Sequence, residues 1–172
     1  MRQTRLWYTR SRRAIKKRYG KDWKLASALL SAVSANNTVK STCTLADKAY
    51  WQIKQTGTIQ RESFCRSHYM SLLNVIENGE PNGRKCKALY YNLIGDENYV
   101  PVDIWMMRYF HLMPPSNSND VPKWKFDLIE NAVKEDAYAK GLTVAQRQAE
   151  IWCEARGKSD DFSDHLAQMR LI

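Results

Sequence analysis

The chain has 172 residues, 44% hydrophobic and 11% aromatic, enough to bury a sizeable core and too few to suggest several independent domains. Its net charge of +9 is concentrated: residues 1 to 24 hold ten Lys and Arg against the single acid Asp22, while seventeen basic and seventeen acidic residues balance in the remainder. No apolar run approaches the roughly 20 residues a membrane helix needs, and Arg2 to Arg18 lacks the apolar segment of a secretory signal, so neither a membrane-spanning nor a secreted protein is expected.

Residues 1–22 read as a basic segment, set apart from one helical domain over 23–172. Clustered cations attract a polyanion at long range, because they neutralise phosphates and release condensed counterions. Arg12, Arg13, Lys16 and Lys17 are the candidates for such contact. Nucleic acid, an anionic membrane and an acidic protein would all fit, and a solvated tail is the plain alternative. From Trp23, the apolar positions Leu25, Ala26, Leu29, Leu30 and Val33 recur at helical spacing. After a turn at Ser34-Ala-Asn-Asn37, Val39, Cys43, Ala46, Ala49, Tyr50 and Ile53 continue that spacing up to Gly57.

Tyr69, Leu72, Leu73 and Ile76 share one face of a helix over Ser67 to Ile76, with Gly79 as its stop. Pro81-Asn82-Gly83 forces a tight turn. Lys85 to Leu93 then reads as a helix ending near Gly95, and Val100-Pro101 keeps the chain extended before Asp103, placed to cap a helix through Ile104, Trp105, Met107 and Phe110. Pro114 to Asp120 is a loop, Trp124, Leu128, Ala132 and Val133 mark a helix stopping near Gly141, and Thr143 with Gln146 forms a capping-box pattern for a helix through Trp152 to Gly157. Phe162, Leu166 and Met169 suggest a last short helix. With no alternating segment, the expected fold is all-α, a compact helical domain.

Cys43, Cys65, Cys86 and Cys153 lie far apart, with no CxxC and no His at zinc-ligand spacing, so no metal site is expected and reduced thiols are the reading, a disulfide pair staying open. His68, His111 and His165 are isolated. Tyr90, Tyr91, Trp105 and Trp124 are aromatics able to stack on a base, although their helical spacing favours core packing.

One constellation carries chemistry. Pro81-Asn-Gly-Arg-Lys-Cys86 stands about twenty residues before Val100-Pro-Val-Asp-Ile-Trp-Met-Met-Arg108, and this stretch resembles the helix-hairpin-helix and following loop of endonuclease III-like DNA glycosylases. Gly83-Arg84-Lys85, and Val102-Asp103 with Arg108, match that pattern. Leu29-Leu-Ser-Ala32 with Asn36, Asn37 and Val39 resembles the family's Leu-Leu-Ser-Ala opening, and Ile151-Trp152 before Arg156-Gly157 is a weaker echo of the helix that closes its core.

The resemblance implies a helix-hairpin-helix, glycosylase-like fold that binds double-stranded DNA, flips a base and cleaves its N-glycosidic bond without a cofactor. Asp103 would be the essential carboxylate opposite positive charge developing on the sugar. Lys85 would be the nucleophile that forms a Schiff base and permits strand cleavage, an AP lyase step requiring a neutral amine; Arg84 and Lys87 favour that form and Asp103 opposes it. Gly83, Arg84 and Lys87 would grip a DNA phosphate at the hairpin. Asn36 or Asn37 would stand in for the missing wedge, because Val33 occupies the position of the family's Gln.

Pro81 replaces the first hairpin Gly, and the family's four-Cys iron-sulfur cluster is absent, so the chain reads as a trimmed, cluster-free version. The expected protein is a cytoplasmic monomer associated with nucleoid or viral DNA, acting in repair or modification. Two alternatives stand beside the glycosylase: a catalytically inactive helix-hairpin-helix module for DNA binding or interaction, and a viral-type enzyme acting on modified bases.

Overall fold

The computed structural model describes residues 3–112 and 121–169. Among them are α1 (Trp7–Tyr19), α2 (Trp23–Ala32), α3 (Val39–Thr56), α4 (Arg66–Asn78), α5 (Arg84–Ile94), α6 (Ile104–Tyr109), α7 (Lys123–Ala139), α8 (Val144–Arg156) and α9 (Phe162–Leu166), with short 3-10 turns at Thr4–Leu6, Gly20–Asp22 and Arg61–Ser63. No strand occurs among the described residues, so the fold is all-α. The loop expected over Pro114 to Asp120 lies outside the described residues.

Helix α2 is the hub. Every residue from Ala26 to Ala32 is buried, the signature of a helix apolar on all sides that serves as a core rod rather than a surface element. Its two buried serines need no outside partner, because Ser27 Oγ donates to the Trp23 carbonyl at 2.8 Å and Ser31 Oγ to the Ser27 carbonyl at 2.8 Å. Helices α1, α3, α4 and α5 pack around this rod.

The basic N-terminal segment is built into that core. Trp7, Tyr8, Ser11, Ile15 and Tyr19 form a buried stripe along α1, and α1 packs against α2, α5, α8 and α9. The boundary expected at residue 22 therefore marks a change of charge and not the edge of the folded body. Several of its cations are consumed internally: Arg5 pairs with Glu150 at 2.6 Å, Arg10 with buried Asp161 at 2.6 Å, and Arg12 donates to the Leu93 and Asn92 carbonyls at 2.8 and 2.9 Å. Arg18 makes a two-pronged contact with Asp47 at 2.9 and 3.0 Å, both side chains 6% exposed, and Tyr19 adds a third bond to the same carboxylate.

The apolar interior is divided. One cluster gathers residues of α1 to α5 with Ala145, Ala149 and Cys153 of α8 and Phe162 and Leu166 of α9. A second, smaller cluster gathers Val100, Val102, Met106 and Met107 with Phe126, Ile129 and Val133 of α7 and Ile151 of α8. Trp152 packs against both, and α8 is the beam between them. Its start is set by a reciprocal capping box in which the Thr143 hydroxyl accepts from the Gln146 N–H and the Gln146 side chain accepts from the Thr143 N–H, each at 3.1 Å.

Helices α4 and α5 are joined by the turn at residues 79–83. Gly79 (φ 78°) and Gly83 (φ 79°) adopt backbone angles that only glycine takes without strain. Glu80 ties the turn down: its carbonyl accepts from Asn74, and its carboxylate accepts from Tyr91 Oη at 2.7 Å and pairs with Lys87 at 2.8 Å. The Lys87 ammonium and the Tyr91 hydroxyl hold this carboxyl below its usual range, and the same bond together with burial pushes the Tyr91 phenol up to about 12.

Removing one partner of a buried ion pair strands the other without compensation. Asp47→Ala is expected to destabilise the protein by about 3–5 kcal/mol in urea unfolding, since it leaves Arg18 and Tyr19 facing each other across an emptied site; a loss under ~1 kcal/mol, the level of an exposed pair, would contradict this.

Candidate functional site

Where the two apolar clusters face one another they leave a cavity of about 750 Å³. That volume is in the range of sites that enclose a small molecule or a single nucleotide, roughly 300–1,000 Å³. Aromatic side chains from both clusters line it, Trp7 and Tyr8 of α1, Phe126 of α7, Trp152 of α8 and Phe162 of α9, together with Trp105 of α6. The charged residues in the lining are Arg84, Lys85, Arg156 and Lys158 against one carboxylate, Asp103. The cavity is thus apolar in its walls and cationic in its formal charge, a combination suited to an anionic ligand with a flat ring.

Lys85 and Asp103 reach this cavity from opposite sides of the division. Lys85 sits in the first turn of α5, half-buried, and its Nζ donates to the Ser34 carbonyl at 3.2 Å. Asp103 precedes α6 and is its N-cap, with Oδ1 accepting from the Trp105 and Met106 N–H groups at 2.9 and 3.1 Å. Its second oxygen, Oδ2, accepts from the Trp152 indole N–H at 2.8 Å. Two backbone donors and one side-chain donor therefore fix the carboxylate in orientation as well as position.

The segment between α2 and α3 forms a rim. Asn36 adopts a left-handed conformation (φ 59°) and is exposed. Asn37 donates to the Val33 carbonyl at 2.7 Å, and His68 Nε2 lies 2.8 Å from the Ala35 carbonyl, pinning the loop to α4. Val33 is fully buried, so it contributes to the core and not to the rim.

Of the residues singled out in the sequence, Lys85, Asp103, Gly83, Arg84, Asn36 and Asn37 line this one cavity. Lys87, Arg12, Arg13, Lys16 and Lys17 are not in its lining. The hairpin cations are already engaged: Arg84 pairs with Asp127 at 2.5 Å and Glu130 at 2.6 Å while lying 3.9 Å over the Phe126 ring, and Lys87 pairs with Glu80. These contacts balance the two charges expected to favour a neutral Lys85. Arg13, Lys16 and Lys17 are exposed on α1, Lys16 lying 4.4 Å over the Trp23 ring.

Among the aromatics named from sequence, Trp105 lines the cavity, Tyr91 stacks on Tyr99 with centroids 4.8 Å apart, Tyr90 is buried, and Trp124 is 61% exposed. The cysteines are all free, Cys43 and Cys153 buried and Cys86 in the cavity lining. Burial pushes the Cys43 thiol up to about 12 and the Cys153 thiol to about 11. Sequence reasoning passed over the wall aromatics Trp7, Tyr8, Phe126 and Phe162, the cation Lys158, and the pair Trp152 and Arg156. The faint helix echo at 151–157 was the one signal for Trp152 and Arg156.

Fold and cavity together define an all-helical protein with a cation-lined cleft between two apolar clusters. The chain belongs to the Family of unknown function (DUF7178), whose model matches residues 1–159. No curated protein and no solved structure matches it.

The geometry around Asp103 separates its two duties. Asp103→Ala removes the cap and the Trp152 contact, and a lost cap alone costs about 0.5–2 kcal/mol. Asp103→Asn retains an oxygen for the cap but turns an amide N–H₂ toward the indole N–H, so it is expected to be less damaging than Ala in thermal unfolding. Equal stability of all three proteins would show that the cap geometry is not holding the residue.

Proposed function

We propose that this protein is a DNA glycosylase with AP lyase activity, built on a helix-hairpin-helix scaffold and acting on double-stranded DNA as a monomer, in association with nucleoid or viral DNA. The observation that carries the reading is that Lys85 and Asp103, which match the nucleophile and the essential carboxylate of endonuclease III-like glycosylases, line one aromatic-walled cavity with Asn36 and Asn37 at its rim. The turn at residues 79–83 between α4 and α5 supports the hairpin assignment, and the first turn of α5 carries no side-chain cap, leaving its N–H groups for a phosphate.

In this reading a nucleotide flipped from the duplex lodges between the aromatic walls, where stacking and exclusion of water offset the cost of unpairing. Asp103 faces the sugar as positive charge develops at C1′, and its fixed hydrogen bonds mean that no reorganisation is needed as that charge forms. Lys85 Nζ, as the neutral amine, then attacks C1′ as the C1′–N bond to the base breaks, an amine proton going to the departing base; the C1′–O4′ bond opens, O4′ taking up a proton, to give the Schiff base, and loss of a C2′ proton from it permits β-elimination of the 3′ phosphate. The Ser34 carbonyl holds the amine at the mouth of α5 beforehand, its lone pair accepting an N–H of Lys85.

A second reading, an inactive DNA-binding or interaction module, is favoured by one observation: both Asp103 oxygens already serve the fold, at α6 and at Trp152. Borohydride reduction on duplex DNA containing an abasic site separates the two. The glycosylase-lyase account predicts a covalent adduct that disappears in Lys85→Ala while DNA binding persists. Binding without any adduct supports the inactive module and sinks the lyase step. An enzyme that acts on modified bases without excising them would likewise give no adduct, and would be told from the inactive module by an altered base in nucleoside analysis of the treated DNA.

The basic face of α1 has its own test. Because α1 is part of the core, its charge has to be removed by substitution and not by truncation. Arg13, Lys16 and Lys17 changed together to Gln are expected to lower the slope of log K against log salt by about 0.9 for each phosphate that is no longer neutralised. A slope identical to that of the unaltered protein would place the duplex elsewhere.

A further inference from the structure

Arg156 ends α8 at the cavity and has an unused donor. Its side chain is only 9% exposed, and its guanidinium lies 4.0 Å over the Trp152 ring, the same ring whose N–H holds Asp103. Nη2 is satisfied by Asp160 Oδ1 at 2.8 Å. Nη1 is buried and has no hydrogen-bond partner, one of three such side-chain atoms among the described residues. Arg156 belongs to the cavity lining, as does Lys158 two residues on, which is exposed.

A buried guanidinium N–H without an acceptor is a costly arrangement, and native proteins keep few of them. Stacking on Trp152 and the bond to Asp160 hold the planar fork with one edge committed, and because Nη1 is enclosed as well as unpartnered, it would meet an incoming oxygen through a small turn of the guanidinium toward the cavity that Arg156 lines. Asp160 does not make the site acidic. Although burial opposes it, the bonds from His165 Nε2, at 2.9 Å, and from Arg156 hold its carboxyl below the ordinary range, and its charge is divided between those two neighbours. The cavity lining otherwise carries Arg84, Lys85 and Lys158 against Asp103 alone. Arg84 is neutralised by its own acids, which leaves Lys85 near one carbonyl and Lys158 as further attraction for an anion.

From this geometry we infer that Arg156, aided by Lys158, binds a phosphate oxygen of the nucleotide that occupies the cavity. The inference rests on the nucleotide reading of the cavity proposed above, and it adds a ligand-binding residue on α8 that is independent of Lys85. Guanidinium suits this duty because it stays charged and offers directional donors to a tetrahedral oxyanion, whereas stacking on Trp152 keeps it from swinging toward solvent.

The test is calorimetric titration of the intact protein with the four deoxynucleoside 5′-monophosphates, their nucleosides, and inorganic phosphate. At least one nucleotide is expected to bind about tenfold or more tightly than its nucleoside, matching a charge-assisted hydrogen bond of about 1.4 kcal/mol or more, and more tightly than phosphate alone. Arg156→Gln should abolish that preference, Arg156→Lys should restore part of it, and Lys158→Gln, on an exposed side chain, should weaken the nucleotide but not the nucleoside. A preference that survives in Arg156→Gln, or nucleoside and nucleotide binding alike to the unaltered protein, would overturn the assignment. Inorganic phosphate matching the nucleotide would reduce the place to a free-anion site and overturn it equally.

Lys85→Ala removes one of the attracting charges and should weaken the nucleotide preference without abolishing it, in contrast to Arg156→Gln. A preference that stands while abasic DNA gives no adduct would sink the lyase reading and leave the phosphate site intact, so the two claims fail separately.

Discussion

Trp152 touches both apolar clusters at once, and its indole N–H is bonded to the carboxylate that starts α6. This contact is the hinge on which the arrangement of the molecule turns. The larger cluster is wrapped around α2, and the smaller gathers Val100, Val102 and residues of α6 and α7 with Ile151 of α8. Helix α8 spans the two, and the Trp152–Asp103 bond ties the start of α6 to it. The cavity is the space that this arrangement leaves open.

The consequence for chemistry is that the amine and the carboxylate of the site are anchored to different bodies of apolar contact. Lys85 is carried by α5 on the larger cluster, and Asp103 by the start of α6 on the smaller. A ligand between them touches both. Trp152 also offers its ring face to Arg156, so one side chain organises the acid through its N–H and the guanidinium through its π face. Substitutions at Trp152 would therefore couple stability to ligand binding in a way that changes at either charged neighbour alone would not.

Much of the helical order was readable in the chain because the local signals are strong. Gly57, Gly79 and Gly95 end helices where the apolar spacing stops, Asp103 caps α6, and Thr143 with Gln146 starts α8 as its capping box requires. Helix α1 was not readable, because its buried stripe is made of Trp7, Tyr8, Ser11, Ile15 and Tyr19, three of them polar-tipped aromatics and one a serine, set among six Lys and Arg. Charge alone suggests a tail where packing makes a core helix.

The site was legible in part. Lys85, Asp103, Asn36 and Asn37 could be named from spacing and resemblance, and they line one cavity. What spacing could not reveal was the company they keep. Arg84 looked free for a phosphate, yet its acids Asp127 and Glu130 come from α7, more than forty residues away. Trp152 is 49 residues from Asp103, and no local pattern announces that bond. Ion pairs and indole hydrogen bonds of this kind are tertiary facts, set by how helices pack and not by their own periodicity.

The central claim is that Lys85 meets the sugar of a nucleotide held in this cavity. Peptide mapping by mass spectrometry of the protein after borohydride reduction with abasic duplex DNA tests it most directly. The account predicts one modified residue, with the sugar remnant on Lys85 Nζ. Modification spread over the exposed lysines of α1, or located on any lysine outside the cavity, would contradict it.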